Sequence, residues 1–220
     1  MTWHARFITP AAELDSAPLL RREFALETGH GTVRSAELAV TARGVVEPHL
    51  NGRPVSNALL TPGWSSYEWR LRVARHDVTE LLAADNVLGL ALGNGWYRGR
   101  LGWTGRGSLY GDRLGGFAEL VIEFDDGFVQ RVVTDADWTA GPSAVLADDL
   151  YDGETIDARR RDESWLRPGF GGAGWSPVEV LDQSLDVLQE YIGPRVSAQQ
   201  ELPVQRIWTS PAGRTLVDFG

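Results

Sequence analysis

The densest run of potential ligands in the sequence is Asp148-Asp149-Leu150-Tyr151-Asp152-Gly153-Glu154-Thr155-Ile156-Asp157, which sets five carboxylates within ten residues. Hard carboxylate oxygens, helped by backbone carbonyls, are what a Ca²⁺ ion requires, so Asp149, Asp152 and Glu154 are the candidate metal ligands. Their spacing is not that of an EF-hand loop, and Arg159, Arg160 and Arg161 follow at once. Pairing of these acids with the arginines at a solvated edge is therefore the favoured expectation. Ca²⁺ is the alternative that repulsion among the carboxylates invites.

A second constellation lies in the loop Gly93-Asn94-Gly95-Trp96-Tyr97-Arg98-Gly99 and is completed by Trp103, Tyr110 and Asp112. The glycines remove side-chain bulk and let a ligand reach the backbone. Trp96 or Tyr97 would then stack on the apolar face of a sugar, while Asn94, Arg98 and Asp112 hydrogen-bond its hydroxyls. The opposing expectation is that Trp96 turns inward as a core plug. Of the nine Trp, Trp3, Trp138, Trp165 and Trp175 stand at the edges of strand-like segments, where a large ring usually closes a sandwich.

Other chemistries lack their residues or their context. There is no Cys, so disulfides, thiolate nucleophiles and Cys-type zinc sites are excluded. His4, His30, His49 and His76 lack the i, i+4 spacing that sets two imidazoles around a metal. Gly169-Phe170-Gly171-Gly172-Ala173-Gly174 matches a dinucleotide fingerprint in letters only, since Arg167-Pro168 precedes it and Trp175-Ser176-Pro177 follows where a helix is needed. No Gly-x-Ser-x-Gly elbow occurs. Net charge is −9 and all 21 basic residues are Arg, so no nucleic-acid partner is expected. No apolar run approaches the roughly 20 residues that span a bilayer, and no membrane partner is expected. Met1-Thr2-Trp3-His4 shows no basic region before an apolar one, which reads as cytoplasmic unless a leader was removed.

Stepwise along the chain, the elements that must hold these residues are short strands. Ala36, Leu38, Val40 and Ala42 alternate with polar neighbours, the period-two mark of a strand with one buried face. Asn51-Gly52 predicts a tight turn. Asp77 with Glu80 three residues on predicts one helical turn, ended by Asn86, and Val87 to Leu92 a strand feeding the glycine-rich loop. Asp125-Asp126-Gly127 between Phe117–Phe124 and Phe128–Val133 predicts a β-hairpin. Trp175 to Val180 reads as the last strand of a sandwich over residues 1–181. Residues 182–200 read as a linker, and 201–220 as the first strands of a following β-domain, cut off inside an extended segment at Val217-Asp218-Phe219-Gly220.

The order of landmarks is more specific than any one of them. Ala36-Glu-Leu-Ala-Val-Thr-Ala-Arg-Gly44, Leu50-Asn-Gly52, Thr61-Pro-Gly-Trp64, Asp77-Val-Thr79, Leu92-Gly-Asn-Gly-Trp-Tyr-Arg-Gly99 and Tyr151-Asp-Gly-Glu-Thr-Ile-Asp-Ala-Arg159 resemble, in order, the N-terminal domain of bacterial α-L-rhamnosidases of glycoside hydrolase family 78. The resemblance implies an all-β fold, a jelly-roll β-sandwich of the galactose-binding type. It implies a parent enzyme that removes terminal α-L-rhamnose with inversion, using carboxylates of a downstream (α/α)6 barrel, so no catalytic residue transfers to this sequence. Related modules bind rhamnose with Ca²⁺. The implied partners are L-rhamnose-containing glycosides and downstream domains of the same polypeptide. The implied role is that of a non-catalytic accessory or carbohydrate-binding-like part, against the alternatives of a purely structural module packed on the barrel or a stand-alone lectin-like domain.

Overall fold

A computed structural model of the chain describes residues 2–103 and 105–220. Strands form wherever alternating or apolar runs stand between Gly, Pro and Asn punctuation. In chain order they are β1 (Ile8–Pro10), β2 (Pro18–Ala25), β3 (Val33–Arg43), β4 (Val45–Leu50), β5 (Arg53–Pro54), β6 (Leu71–Asp77), β7 (Asp85–Gly93) and β8 (Gly115–Phe124). There follow β9 (Val129–Val133), β10 (Thr139–Pro142), β11 (Val145–Asp149), β12 (Gly153–Ile156), β13 (Ser176–Val180), β14 (Leu188–Glu190), β15 (Arg206–Thr209) and β16 (Thr215–Asp218).

One hydrogen-bonded path runs β14-β6-β3-β8-β1-β13-β10-β2-β7-β4-β5, with β9 also on β8. It folds on itself where β13 leaves β10 at Ser176 and Pro177 to join β1 from Val178 onward. The two halves then lie face to face. A Cβ added to Gly116 of β8 would meet Leu20 of β2 and Leu90 of β7 at 2.9 and 3.0 Å, so the sheets approach closely there. The inward residues of β3 are Ala36, Leu38, Val40 and Ala42, as the alternation predicts, and they join Leu88, Leu90, Leu120 and Ile122 in a single core. This is the all-β sandwich expected of a jelly-roll.

The turn chemistry follows the sequence closely. Asn51 and Gly52 both take positive φ, 54° and 80°, which closes the β4–β5 hairpin as a two-residue turn. Asp77 accepts hydrogen bonds from both the N–H and the hydroxyl of Thr79 and so opens a single 3₁₀ turn at Thr79–Leu81. Gly127 ends the Asp125-Asp126 turn between β8 and β9.

Three features depart from expectation. Residues 182–200 are not a bare linker: β14 pairs in parallel with β6, Leu185 and Val187 pack on the core, and Arg195 bonds to Arg75 O and His76. A three-residue parallel strand has no local signature, because its pairing partner lies far upstream. Asn86 does more than end a turn. Wholly buried, it accepts from Ala83 N–H and Asn51 Nδ2 and donates to Ala83 O, which ties the Asn51 turn to β7. The loop after β7 is also not all coil, since Gly95–Arg98 forms one helical turn. Past Leu202, β15 and β16 pair only with each other among the described residues, and Ile207 and Val217 stand exposed.

Candidate functional site

The acidic run folds as the β11–β12 hairpin, and Asp148, Asp149, Asp152 and Asp157 are hydrogen-bonded within the protein. Asp149 accepts from the N–H groups of Tyr151, Asp152 and Arg100 at 2.8, 3.1 and 2.6 Å. Burial opposes ionisation of Asp149, yet these backbone donors outweigh it and hold the carboxyl below its ordinary range. Asp152 forms a two-point ion pair with Arg100 at 2.7 and 2.9 Å, while Glu154 is exposed. Downstream, Arg159 pairs with Asp157 and Arg160 with Asp15. Asp149 and Asp152 thus have their oxygens bonded to N–H groups and to Arg100, which speaks against the Ca²⁺ alternative. Among the described residues no group of three or more His, Asp or Glu is arranged to hold a metal, because the donors facing these acids are N–H groups and Arg100.

The seven candidate sugar-binding residues do not share one surface. The helical turn drives Tyr97 into the core, edge-on to Tyr67 at 5.1 Å, where it cannot stack on a ligand. Trp96 is half-buried beside Leu60, Pro62 and Tyr191. Trp103 projects wholly into solvent. Tyr110 packs on Tyr67 at 4.8 Å and accepts a hydrogen bond from Trp64 Nε1. Asn94 donates through its N–H and Nδ2 to Asp148, at 2.6 and 2.7 Å, and accepts from Arg98 Nε. Burial pushes the Asp148 carboxyl up and the Arg98 guanidinium down. Of the seven, Arg98 and Asp112 line a shared cleft of about 440 Å³ beside Glu13 and Ser16.

A larger groove, of about 530 Å³, lies on the outer face of the β10-β2-β7-β4 half-sandwich. Cross-strand pairing sets Thr139, Arg21, Gly89 and His49 in one row on that face. Above it runs the 163–175 segment, whose first turn is capped by Asp162 accepting from Ser164 N–H at 2.9 Å. The Trp165 ring lies on Gly89, where a Cβ would come within 2.6 Å of the indole, and the Trp175 ring lies likewise on Gly141. The two indoles stack at 6.0 Å, and Phe170 meets Trp175 edge-on at 5.5 Å.

Buried Arg21 fastens this cover. Its Nε donates to Trp165 O at 2.7 Å and its Nη2 to Arg167 O at 3.1 Å, its guanidinium lies over Phe170 at 5.2 Å, and Glu23 pairs with it. His49 abuts Trp165 at 6.0 Å, and burial pushes its pKa down. Ile156, Arg160, Arg161 and Glu163 also line the groove. The groove's two carboxylates, Asp162 and Glu163, are chain neighbours on one wall, so no pair flanks a bond as glycoside hydrolysis requires. The sequence places Trp165 and Trp175 as rings closing the sandwich; Trp165 is buried, while Trp175 is half-buried along the groove. The available signal was a glycine inside each of two strand patterns, which marks a close approach.

Residues 31–205 match the family described as the α-L-rhamnosidase N-terminal domain. The chain belongs to this family. It is 35% identical over 216 residues to an α-L-rhamnosidase of Streptomyces avermitilis, a match covering 97% of this chain and 20% of that protein. The structure of the native α-L-rhamnosidase from Aspergillus terreus superposes on it with a TM-score of 0.91 at 32% identity, over 98% of this chain and 26% of that one. The Streptomyces avermitilis enzyme complexed with L-rhamnose gives 0.86 at 35% identity, over 93% and 20%. The rhamnosidase N-terminal domain thus spans about a fifth of the length of the curated relatives it matches. Its described residues hold single helical turns and no helical barrel.

Proposed function

We propose that this chain serves as the non-catalytic accessory part of an α-L-rhamnosidase, an enzyme that hydrolyses terminal α-L-rhamnose from glycosides. It would act chiefly as a folded shoulder for the catalytic part of the polypeptide, with L-rhamnose-containing glycosides as the substrate class of the whole. One observation carries this reading: a sandwich with its own core accounts for only a fifth of the relatives' length, and its groove of about 530 Å³ lacks facing carboxylates.

The test is an assay of the 220-residue chain and of the complete gene product with an aryl α-L-rhamnoside. Release of the aryl group by the complete product alone is the expected result. Turnover by the short chain that is lost on replacing one of its own carboxylates would overturn the reading.

A further inference from the structure

Residues 182–197 return along the edge of β6 after β13 is complete, and one arginine fastens the end of that return. β14 pairs with Leu71–Val73, and Tyr191 N–H donates to Val73 O. Farther on, Val196 O accepts from Leu59 N–H at 2.8 Å, with Ser197 bridged to Ala58. Between these two attachments Arg195 reaches back to β6: its Nη2 donates to Arg75 O at 2.9 Å, and its Nη1 lies 3.2 Å from His76 Nδ1. Among the described residues, none from 198 to 205 hydrogen-bonds to the sandwich, so the segment beyond Ser197 is a tether to the β15–β16 hairpin.

A guanidinium can only donate, so His76 accepts through Nδ1 and carries its proton on Nε2. The residue is 7% exposed, and that Nε2–H has no acceptor among the described residues. A histidine that served packing alone would have both nitrogens satisfied. This one is bonded only through the nitrogen that protonation blocks. A proton taken up at Nδ1 sets a second donor, and a second positive charge, against Arg195. The surroundings do not offset this. On β6, Arg75 and Asp77 lie on the other face, where Arg75 bonds Glu37 and Glu190 and lies over Trp3, and Asp77 bonds Thr79. The facing residue on β3 is Leu38, the Tyr191 hydroxyl donates to Pro194 O, and Arg195 is the charge that acts on the ring.

We propose that His76 and Arg195 form a proton-operated clasp: uptake of a proton at Nδ1 expels the guanidinium, frees residues 192–197 from β6 and from Ala58 and Leu59, and lengthens the tether to β15 from 198–205 to 192–205. Closed, the ring titrates near 4, and released into water near 6.5. The clasp is therefore fully closed above 6.5, and opening gains at most about tenfold per pH unit as the pH falls from there to 4.

The experiment is amide hydrogen exchange of the 220-residue chain by NMR from neutral pH to about pH 4, corrected for the intrinsic rate at each pH, with the imidazole ¹⁵N shifts of His76. At neutral pH the ring should show the Nε2-protonated tautomer. Protection of the Leu59 amide should fall on the order of a hundredfold over the range, while Leu71, bonded to Val187 O, and Leu38 in the core hold theirs. His76→Gln keeps an oxygen for Arg195 to bond but takes up no proton, so Leu59 should stay protected in acid. Arg195→Met, at an exposed position, should leave Leu59 weakly protected at every pH and raise the His76 pKa. An Nδ1-protonated ring at neutral pH, Leu59 protection that ignores pH or falls together with Leu71, an unchanged acid response in His76→Gln, or full protection in Arg195→Met would each overturn the proposal. The rhamnoside assay above is untouched by any of these results, so the two readings fail separately.

Discussion

Replacing Asn86 with Ala should be among the most damaging single changes in this chain, although the residue touches no apolar core neighbour through its polar end. Asn86 is completely buried, and its amide makes three good hydrogen bonds: Oδ1 accepts from Ala83 N–H and Asn51 Nδ2, both at 2.8 Å, and Nδ2 donates to Ala83 O at 2.6 Å. Truncation leaves three part-buried groups, Ala83 N–H, Ala83 O and Asn51 Nδ2, without their partner, and an unsatisfied buried polar group costs about 1–3 kcal/mol. Water entering the vacated space would recover part of this, which leaves a net loss of about 2–4 kcal/mol. For a domain of this length each kcal/mol moves the melting temperature by roughly 2–4 °C, so a drop of roughly 5–15 °C is expected. Thermal melts followed by tryptophan fluorescence, with urea titrations for the free energy, measure it directly. Asn51→Ala provides the internal control. Since Asn51 Nδ2 and Asn86 Oδ1 bond to each other, the double variant should lose less than the sum of the singles, by roughly 0.5–3 kcal/mol. A loss below about 1 kcal/mol for Asn86→Ala, or strict additivity in the cycle, would refute the network as an energetic unit.

Three further perturbations probe other parts of the fold. Burial first, and then the Arg195 guanidinium 3.2 Å from Nδ1, depress the His76 pKa to about 4. The folded value lies below the ordinary 6.5, so stability should be full above that pH and fall as the pH drops from 6.5 through 4, and His76→Gln should flatten this slope in urea midpoints. Arg21→Met removes the bonds to Trp165 O and Arg167 O, and hydrogen–deuterium exchange should rise across 163–170 while β3 and β8 stay protected; uniform loss of protection would show instead that Arg21 supports the whole sandwich. Millimolar Ca²⁺ should leave the melting temperature where it is, because the Asp149 oxygens are taken by backbone N–H groups, and a rise reversed by EDTA would contradict that.

What could be read in advance from the sequence was whatever local pattern decides. The alternation of β3, the positive-φ pair Asn51-Gly52, the Asp125-Asp126-Gly127 turn and the Asp77–Thr79 bonds beside the 3₁₀ turn depend on residues within a few positions of one another. The landmark order added the family and the β-sandwich. What could not be read depends on distant partners. Asp149 and Asp152 look the same in sequence whether they face a cation or the N–H and guanidinium of Arg100. Trp96 and Tyr97 exchange exposure with the phase of one helical turn, and sequence does not set that phase. β14 forms because β6 offers an open edge, and the groove forms because Gly89 on β7 accepts the ring of Trp165.

Both outer faces of the sandwich are covered, and the two covers differ in kind. On the β3–β8 half, Phe117 and Glu119 point outward and are closed over by the N-terminal segment: Trp3 and Phe7 pack on Phe117 at 5.3 and 5.2 Å, and Glu119 accepts from the N–H groups of His4 and Ala5. That cover is an ordinary lid, with one carboxylate bonding the backbone it must bury. On the β2–β7 half the cover is raised on two indoles, laid on Gly89 and Gly141, and leaves a groove beside it. A stability requirement alone would be met by a second lid like the first. Glycines inside two strands admit rings on one side, whereas a carboxylate bonded to the backbone it buries closes the other, so the two halves are covered by different means.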